Sequence, residues 1–202
     1  MFQIQAENQK IASKRRHQIL TSGLALTQRQ RVNYIVILGV LMMLQTMTTD
    51  LFLPSFPAIA DFYGVPDSSI QLTLGAITLG SAVGMLIAGP LSDSLGRRRP
   101  VLISVALFSV VTLSLFAAPN IEVFTALRFL QGLFSSAVAV LVSAIVRDLY
   151  SGQAMLKFLS RVFLVGAAAP VISPLLGSRI LLVGNWQLVP FLLTLIAVAV
   201  FI

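Results

Sequence analysis

Two charged residues stand where their neighbours are almost all apolar. Asp50 closes the uncharged window 32–49, and Arg128 sits inside "VFTALRFLQG". By insertion scales, each costs about 2.5–3.5 kcal/mol at the centre of a membrane helix, so such residues tend to face a cavity and carry function. A carboxylate and a guanidinium in one cavity suit proton uptake and release, with the acid's affinity set by the nearby cation and by whatever occupies the cavity. A second concentration is "GPLSDSLGRRRP", residues 89–100, where Asp93 precedes Arg97, Arg98 and Arg99. Gly89 and Gly96 permit a tight turn there, and Asp93 can pair with Arg97 or cap a helix. A third pattern is structural: Pro170 and Pro174, four apart, delete backbone hydrogen bonds and bend a helix that also carries Gly166, Ala169, Ser173 and Gly177. Such a bend serves either as a plain kink or to shape a cavity.

Other chemistries have no residues to support them. There is no His/Asp/Glu cluster, no nucleophile constellation and no phosphate-cradling glycine loop, so an enzyme is not expected. With no cysteine, disulfides and thiolate metal sites are excluded, and no metal site is expected. The one histidine, His17, falls in a polar tail and reads as a solvated surface residue.

The elements that must hold these residues are read from composition. Of 202 residues, 57% are hydrophobic and only 10% charged, with mean hydropathy +0.93. A soluble domain carries about 25% charged residues. Uncharged windows at 32–49, 68–92, 100–121, 162–178 and 180–202 match the roughly 20 residues that cross a bilayer core as a helix. Their continuous apolar character is not the alternation of a membrane β-barrel. The fold expected is an all-α polytopic membrane protein with six spans, about 33–57, 70–91, 100–118, 121–146, 158–178 and 186–202, behind a basic tail, 1–32.

Charge orients them. The tail (Lys10, Lys14, Arg15, Arg16, Arg29, Arg31), the second loop (Arg97, Arg98, Arg99) and the fourth loop (Arg147, Lys157, Arg161) hold all Lys and Arg except Arg128 and Arg179. Cytoplasmic loops carry this excess, so the N-terminus is expected inside. The net charge of +7 is therefore assigned to topology and to an anionic lipid surface, not to nucleic acid. Asp50 lies about seven residues before the outer end of its span and Arg128 about seven after the start of its own. At 1.5 Å per residue both sit roughly 10 Å deep. Three arrangements stay open: a structural ion pair, a protonatable carboxylate beside the arginine, or two unpaired cavity groups. Pro54 and Pro57 are expected to unwind the outer end of the first span. Ala76, Gly80, Gly84 and Ala88, spaced by four, form a small-residue stripe for close helix approach, and Ser135, Ala139 and Ser143 form another. Trp186, at the start of the last span, suits an interfacial anchor.

Gly89-Pro-Leu91-Ser-Asp93-Ser-Leu-Gly96-Arg97-Arg98, between the second and third spans, resembles the signature loop of the major facilitator superfamily, departing from it at Ser94, where many members have a basic residue. Arg128-Phe-Leu-Gln131-Gly132 resembles the family's R-x-x-Q-G motif. Ala169-Pro170 through Pro174 and Gly177 resembles its antiporter motif, with Ser178 in place of a second glycine. "TTDLFLPSFP" and "VRDLY" are similar to the bicyclomycin-resistance branch of drug:proton antiporters. The resemblance covers residues 33–202 and implies the N-terminal six-helix half of the fold. It implies that Asp50, Arg128 and Gln131 serve proton coupling and the substrate cavity. Gly89, Asp93, Gly96, Arg97 and Arg98, joined by Arg147 and Asp148, would form a cytoplasmic gate, and Pro170, Pro174 and Gly177 a helix bend. It further implies an inner-membrane exporter of small amphipathic molecules, driven by the proton gradient without a cofactor. Its partners would be the bilayer, a small-molecule substrate, and a C-terminal half or second copy. A uniporter or nutrient importer on the same fold, and a non-transporting membrane fragment, are the alternatives.

Overall fold

The computed structural model describes residues 27–201; the tail and His17 lie largely or wholly outside the described residues. The first apolar window folds as α1 (Gln28–Asp50). A capping box starts it: the Thr27 side chain accepts the Gln30 N–H, and the Gln30 side chain accepts the Thr27 N–H at 2.9 Å. Pro54 helps to end it, because the Asp50 carbonyl would need an N–H that proline lacks. The chain tightens into a 3₁₀ turn, Leu53–Ser55, and resumes as α2 (Phe56–Tyr63). Gly64, at φ 62°, closes α2 in the left-handed conformation.

Five more α-helices carry the rest of the bundle before the last: α3 (Asp67–Leu95), α4 (Arg98–Ser114), α5 (Ile121–Leu149), α6 (Gly152–Gly166) and α7 (Ala169–Val183), followed by α8 (Leu188–Phe201). A 3₁₀ turn, Leu115–Ala117, ends the α4 span, and Asn120 caps α5 by accepting the Val123 N–H at 2.9 Å. Among the described residues, Gln28–Tyr63, Asp67–Leu95, Arg98–Ala117, Ile121–Leu149 and Gly152–Leu182 are long and apolar enough to cross a membrane, and Leu188–Val200 is a shorter apolar helix. Several helices outrun the expected spans: α3 continues to Leu95 and α5 to Leu149. Hydropathy marks the thickness of hydrocarbon, whereas a helix continues into the headgroup layer on its own hydrogen bonds.

α5 occupies the middle, with α3, α4 and α1 against it; α6 and α7 pack on α1, and α8 on α4 and α1. The α3–α5 contact is backbone against backbone. A Cβ on Gly80 would lie 1.9 Å from the Phe129 carbonyl oxygen, one on Gly84 2.2 Å from that of Leu133, and one on Gly132 2.1 Å from that of Ile77. Ser81 Oγ donates across the seam to the Gly132 carbonyl at 3.3 Å. Where lipid is as apolar as leucine, this closeness, rather than a hydrophobic effect, holds helices together. The outer surface is correspondingly greasy: Leu86 and Leu182 are 76% and 78% exposed.

Two apolar clusters fill the interior. One, at the end where α2 meets α3, contains Phe52, Phe124 and Trp186; the other, toward the basic end, contains Phe108, Val142, Val146, Tyr150 and Phe158. Two sequence expectations are corrected here. Trp186 is buried, 4% exposed, with Phe62 and Phe124 edge-on at 5.5 and 5.8 Å. It is an interior packing residue because the α2 aromatics close over it. Gly89 lies within α3, not in the turn, and Pro90 beside it is carried inside the helix. Ser92 Oγ donates to the Gly89 carbonyl at 2.9 Å and Ser94 Oγ to Leu91 at 3.0 Å, bracing the last turns.

Candidate functional site

The charged residues collect at two places, one inside the bundle and one at its basic end. The interior site begins with the break in α1. In an unbroken helix the Phe52 N–H would return to the Thr48 carbonyl. Instead it bonds Thr49 at 3.2 Å, and the Leu51 N–H bonds Met47 at 3.1 Å. The Thr48 carbonyl is thereby available to another helix, and Arg128 takes it. Nη1 of Arg128 donates to Thr48 O at 2.8 Å and to Gln131 Oε1 at 2.8 Å. Gln131 Nε2 continues to Thr112 Oγ1 at 3.0 Å. A polar chain thus crosses the apolar core from α1 through α5 to α4. The guanidinium carbon lies 4.3 Å from the centroid of the Phe52 ring, a cation–π placement that a desolvated site strengthens.

Arg128 is wholly buried, 0% exposed. Its Nε and Nη2 have no hydrogen-bond partner among the described residues. A buried cation with part of its donor set unused is costly, so the position is not chosen for stability. Asp50, the last residue of α1, is only partly buried, and no ion pair joins it to Arg128 among the described residues. Of the three arrangements open from sequence, direct pairing is absent. The reason is local: the freed backbone carbonyl, not the carboxylate, meets the guanidinium.

The break also seats α7. A Cβ on Gly177 would lie 2.5 Å from the Leu51 carbonyl oxygen and 3.2 Å from the Pro54 ring, so only glycine lets α7 reach the broken segment. The helix carrying the proline pair is interrupted at Ala167–Ala168. Pro170 falls in the first turn of α7, where its missing N–H is harmless, and Pro174 lies inside it. Ser178 Oγ donates to the Pro174 carbonyl at 2.5 Å. A cleft of about 450 Å³ opens beside this segment at the aromatic end, lined among others by Pro54, Phe62, Trp186 and Gln187; Arg128 does not reach it.

At the basic end, Gly96 turns the chain between α3 and α4 at φ 77°, which brings Arg97 back over α3. Arg97 forms ion pairs with Asp93 at 2.6 Å and with Asp148, on the last turn of α5, at 2.6 Å, and donates to Ser92 Oγ. The hydrogen bond to Asp148, then that to Asp93, raises the Arg97 pKa above its ordinary value, so the cation persists at any physiological pH. One arginine therefore ties α3, the turn and α5 together. Arg98 and Arg147 are exposed beside this cluster and take no part in the network. Thr48, Phe52, Thr112 and Ser92 were not singled out from sequence. Thr112 is one of several hydroxyls on the apolar α4, with Ser104, Ser109 and Ser114, and nothing in the sequence sets it apart.

These two constellations on one helical bundle can be set beside known proteins. The sequence profile of the Major Facilitator Superfamily matches residues 38–202. The chain belongs to that superfamily. It is a multi-pass inner-membrane protein of a transporter family, not an enzyme. It is 40% identical over 172 residues to the uncharacterized MFS-type transporter YdgK of Bacillus subtilis, covering 84% of this chain and 43% of that protein. It is 36% identical to a bicyclomycin resistance protein homolog of Haemophilus influenzae, over 84% of this chain and 42% of that one. Multidrug resistance protein D of Escherichia coli is 29% identical over 79% of this chain and 41% of its own length. The chain thus spans less than half the length of the curated relatives it matches.

Proposed function

We propose that this chain is the N-terminal half of a proton-coupled exporter of small amphipathic molecules, working by alternating access with a C-terminal six-helix half or a second copy of itself. Residues 1–32 form a cytoplasmic basic tail and 33–202 the transporting bundle. The observation that carries this reading is the buried, incompletely satisfied Arg128, held on the α1 backbone two residues before Asp50. A membrane interior keeps such a group for ion or substrate work. Asp50 takes up and releases the proton. Arg128, fixed by Thr48, Gln131 and Phe52, sets the field that the carboxylate and the substrate experience in turn. The Arg97 cluster latches the basic, cytoplasmic end, and the Pro170–Gly177 segment bends the α6–α7 span. The names of two relatives, for resistance to bicyclomycin and to multiple drugs, support small-molecule export.

The test is transport of a fluorescent amphipathic cation in proteoliposomes containing this half together with a matching C-terminal half. Asp50→Asn should bind the dye but fail to pump it under an imposed proton gradient, since an amide exchanges no proton at working pH. Asp50→Glu should retain pumping. Gradient-driven efflux by Asp50→Asn at the wild-type rate would reject the coupling role.

A further inference from the structure

Arg128 touches α1 twice, and both contacts fall on the stretch where that helix breaks. Nη1 donates to the Thr48 carbonyl at 2.8 Å, and the guanidinium carbon stands 4.3 Å from the centroid of the Phe52 ring. Its other partner, Gln131, lies on its own helix. Phe52 is wholly buried and edge-on to Phe124, with ring centroids 6.4 Å apart. Phe124 and Arg128 are one turn apart on α5, so the ring meets that helix at two neighbouring side chains. The backbone beneath the ring is the bend itself: the Phe52 N–H turns to Thr49, and the Phe52 carbonyl accepts the Ser55 N–H at 2.9 Å. With Nε and Nη2 unpartnered, the negative face of the ring is what compensates the rest of the buried charge.

The other side of the bend rests on α7. A Cβ on Gly177 would lie 2.5 Å from the Leu51 carbonyl oxygen and 3.2 Å from the Pro54 ring. Arg128 itself has no partner on α7 among the described residues. We infer that Phe52 is a positioning residue: its ring makes the aim of Arg128 follow the bend of α1, so that α7, which seats the bend, sets the arginine without touching it. The inference rests on the reading of Arg128 as the group that sets the field in the cavity, and adds what sets Arg128. A leucine at position 52 fills much of the same space but offers no negative face to a cation. Thr48 would then hold Nη1 while the guanidinium plane turned about that bond.

The experiment is solid-state nitrogen NMR of the full chain in lipid bilayers, isotope-labelled at arginine, with the Arg128 lines identified by their loss in Arg128→Lys. A guanidinium over a ring face is shielded by the ring current, so the parent lines should be displaced upfield. Phe52→Leu should return them toward those of the other arginines. A trifluorinated phenylalanine at position 52 keeps the shape and removes the negative face, and should broaden the lines as the guanidinium loosens. Gly177→Ala should move the lines in the parent but much less in Phe52→Leu, the non-additivity that marks coupling. Gly75→Ala, with nothing within 4 Å, should leave them in place. In proteoliposomes with a matching C-terminal half, efflux should fall by about tenfold or more on trifluorination, the scale of a desolvated cation–π contact. A parent that fails to pump, with the lines behaving as described, would reject the exporter reading and support this one. Arg128 lines indifferent to Phe52→Leu or to trifluorination, or moved equally by Gly177→Ala in both backgrounds, would overturn the positioning role.

Discussion

The Arg128 guanidinium binds the backbone of α1 at Thr48, not the carboxylate of Asp50 two residues on. The arginine is therefore anchored whether or not Asp50 is protonated. A direct salt bridge would have tied the position of Arg128 to the charge of the acid; a carbonyl acceptor does not.

That arrangement separates stability from activity at position 128. Arg128→Met removes a buried, partly unpaired cation and keeps most of the volume. Its melting in detergent should stay within about 1 kcal/mol of the parent, because the lost hydrogen bonds are offset by the avoided desolvation. Transport should be abolished. Arg128→Ala adds a cavity beside Phe52 and should lose about 3 kcal/mol. A Met variant that melts as low as the Ala variant would show that the guanidinium holds the fold.

The α3–α5 seam predicts a contrast between glycines on one helix. Gly80→Ala drives a methyl into the Phe129 carbonyl and should cost about 3 kcal/mol, at the upper end for overpacking, with poor membrane accumulation. Gly75→Ala has nothing within 4 Å and should be neutral or stabilising by about 0.5–1 kcal/mol through helix propensity. Thermal aggregation of the two variants in the same detergent provides the comparison.

Trp186 is the sole tryptophan, so intrinsic fluorescence reports one place. Burial among Phe62, Tyr63 and Phe124 predicts blue-shifted emission, with little quenching by iodide or by lipids brominated near the headgroup. Phe62→Ala should red-shift the band. Strong quenching in the parent would return Trp186 to the membrane interface.

The basic-end network can be read chemically because the chain has no cysteine. Ser92 is 1% exposed, under the Arg97 side chain. A cysteine at position 92, nearly isosteric with the serine, should react slowly with a maleimide. Adding Asp148→Ala should speed the reaction, because Arg97 loses the acceptor that links it to α5. Unchanged labelling would mean that Asp93 alone holds the turn.

Much of this was legible in the order of residues. Long uncharged windows gave the helices, the four-residue spacing of Gly80 and Gly84 gave the tight seam, and Asp93 and Arg97, one turn apart, gave a pair that the structure forms. What escaped reading has physical causes. The acceptor for Arg128 is a main-chain carbonyl, available because Phe52 adopts a 3₁₀ bond, and no side chain announces it. Gly89-Pro90 reads as a turn, yet a membrane helix tolerates one missing bond when serine hydroxyls brace the neighbouring turns. Trp186 reads as an interfacial belt residue because only tertiary folding brings α2 over it.

The glycine seam has a mechanical consequence. α3 and α5, each 29 residues and so about 44 Å long, meet backbone to backbone at Gly80, Gly84 and Gly132. The three glycines lock the pair at close range with little room to shift, so it behaves as one stiff beam. Slack resides elsewhere, in the 3₁₀ break after α1 and the interruption between α6 and α7, where hydrogen bonding is already incomplete. Force applied at the Arg97 end would pass along the beam and be taken up by flexure at those two breaks, the first of which packs against α7 at Gly177.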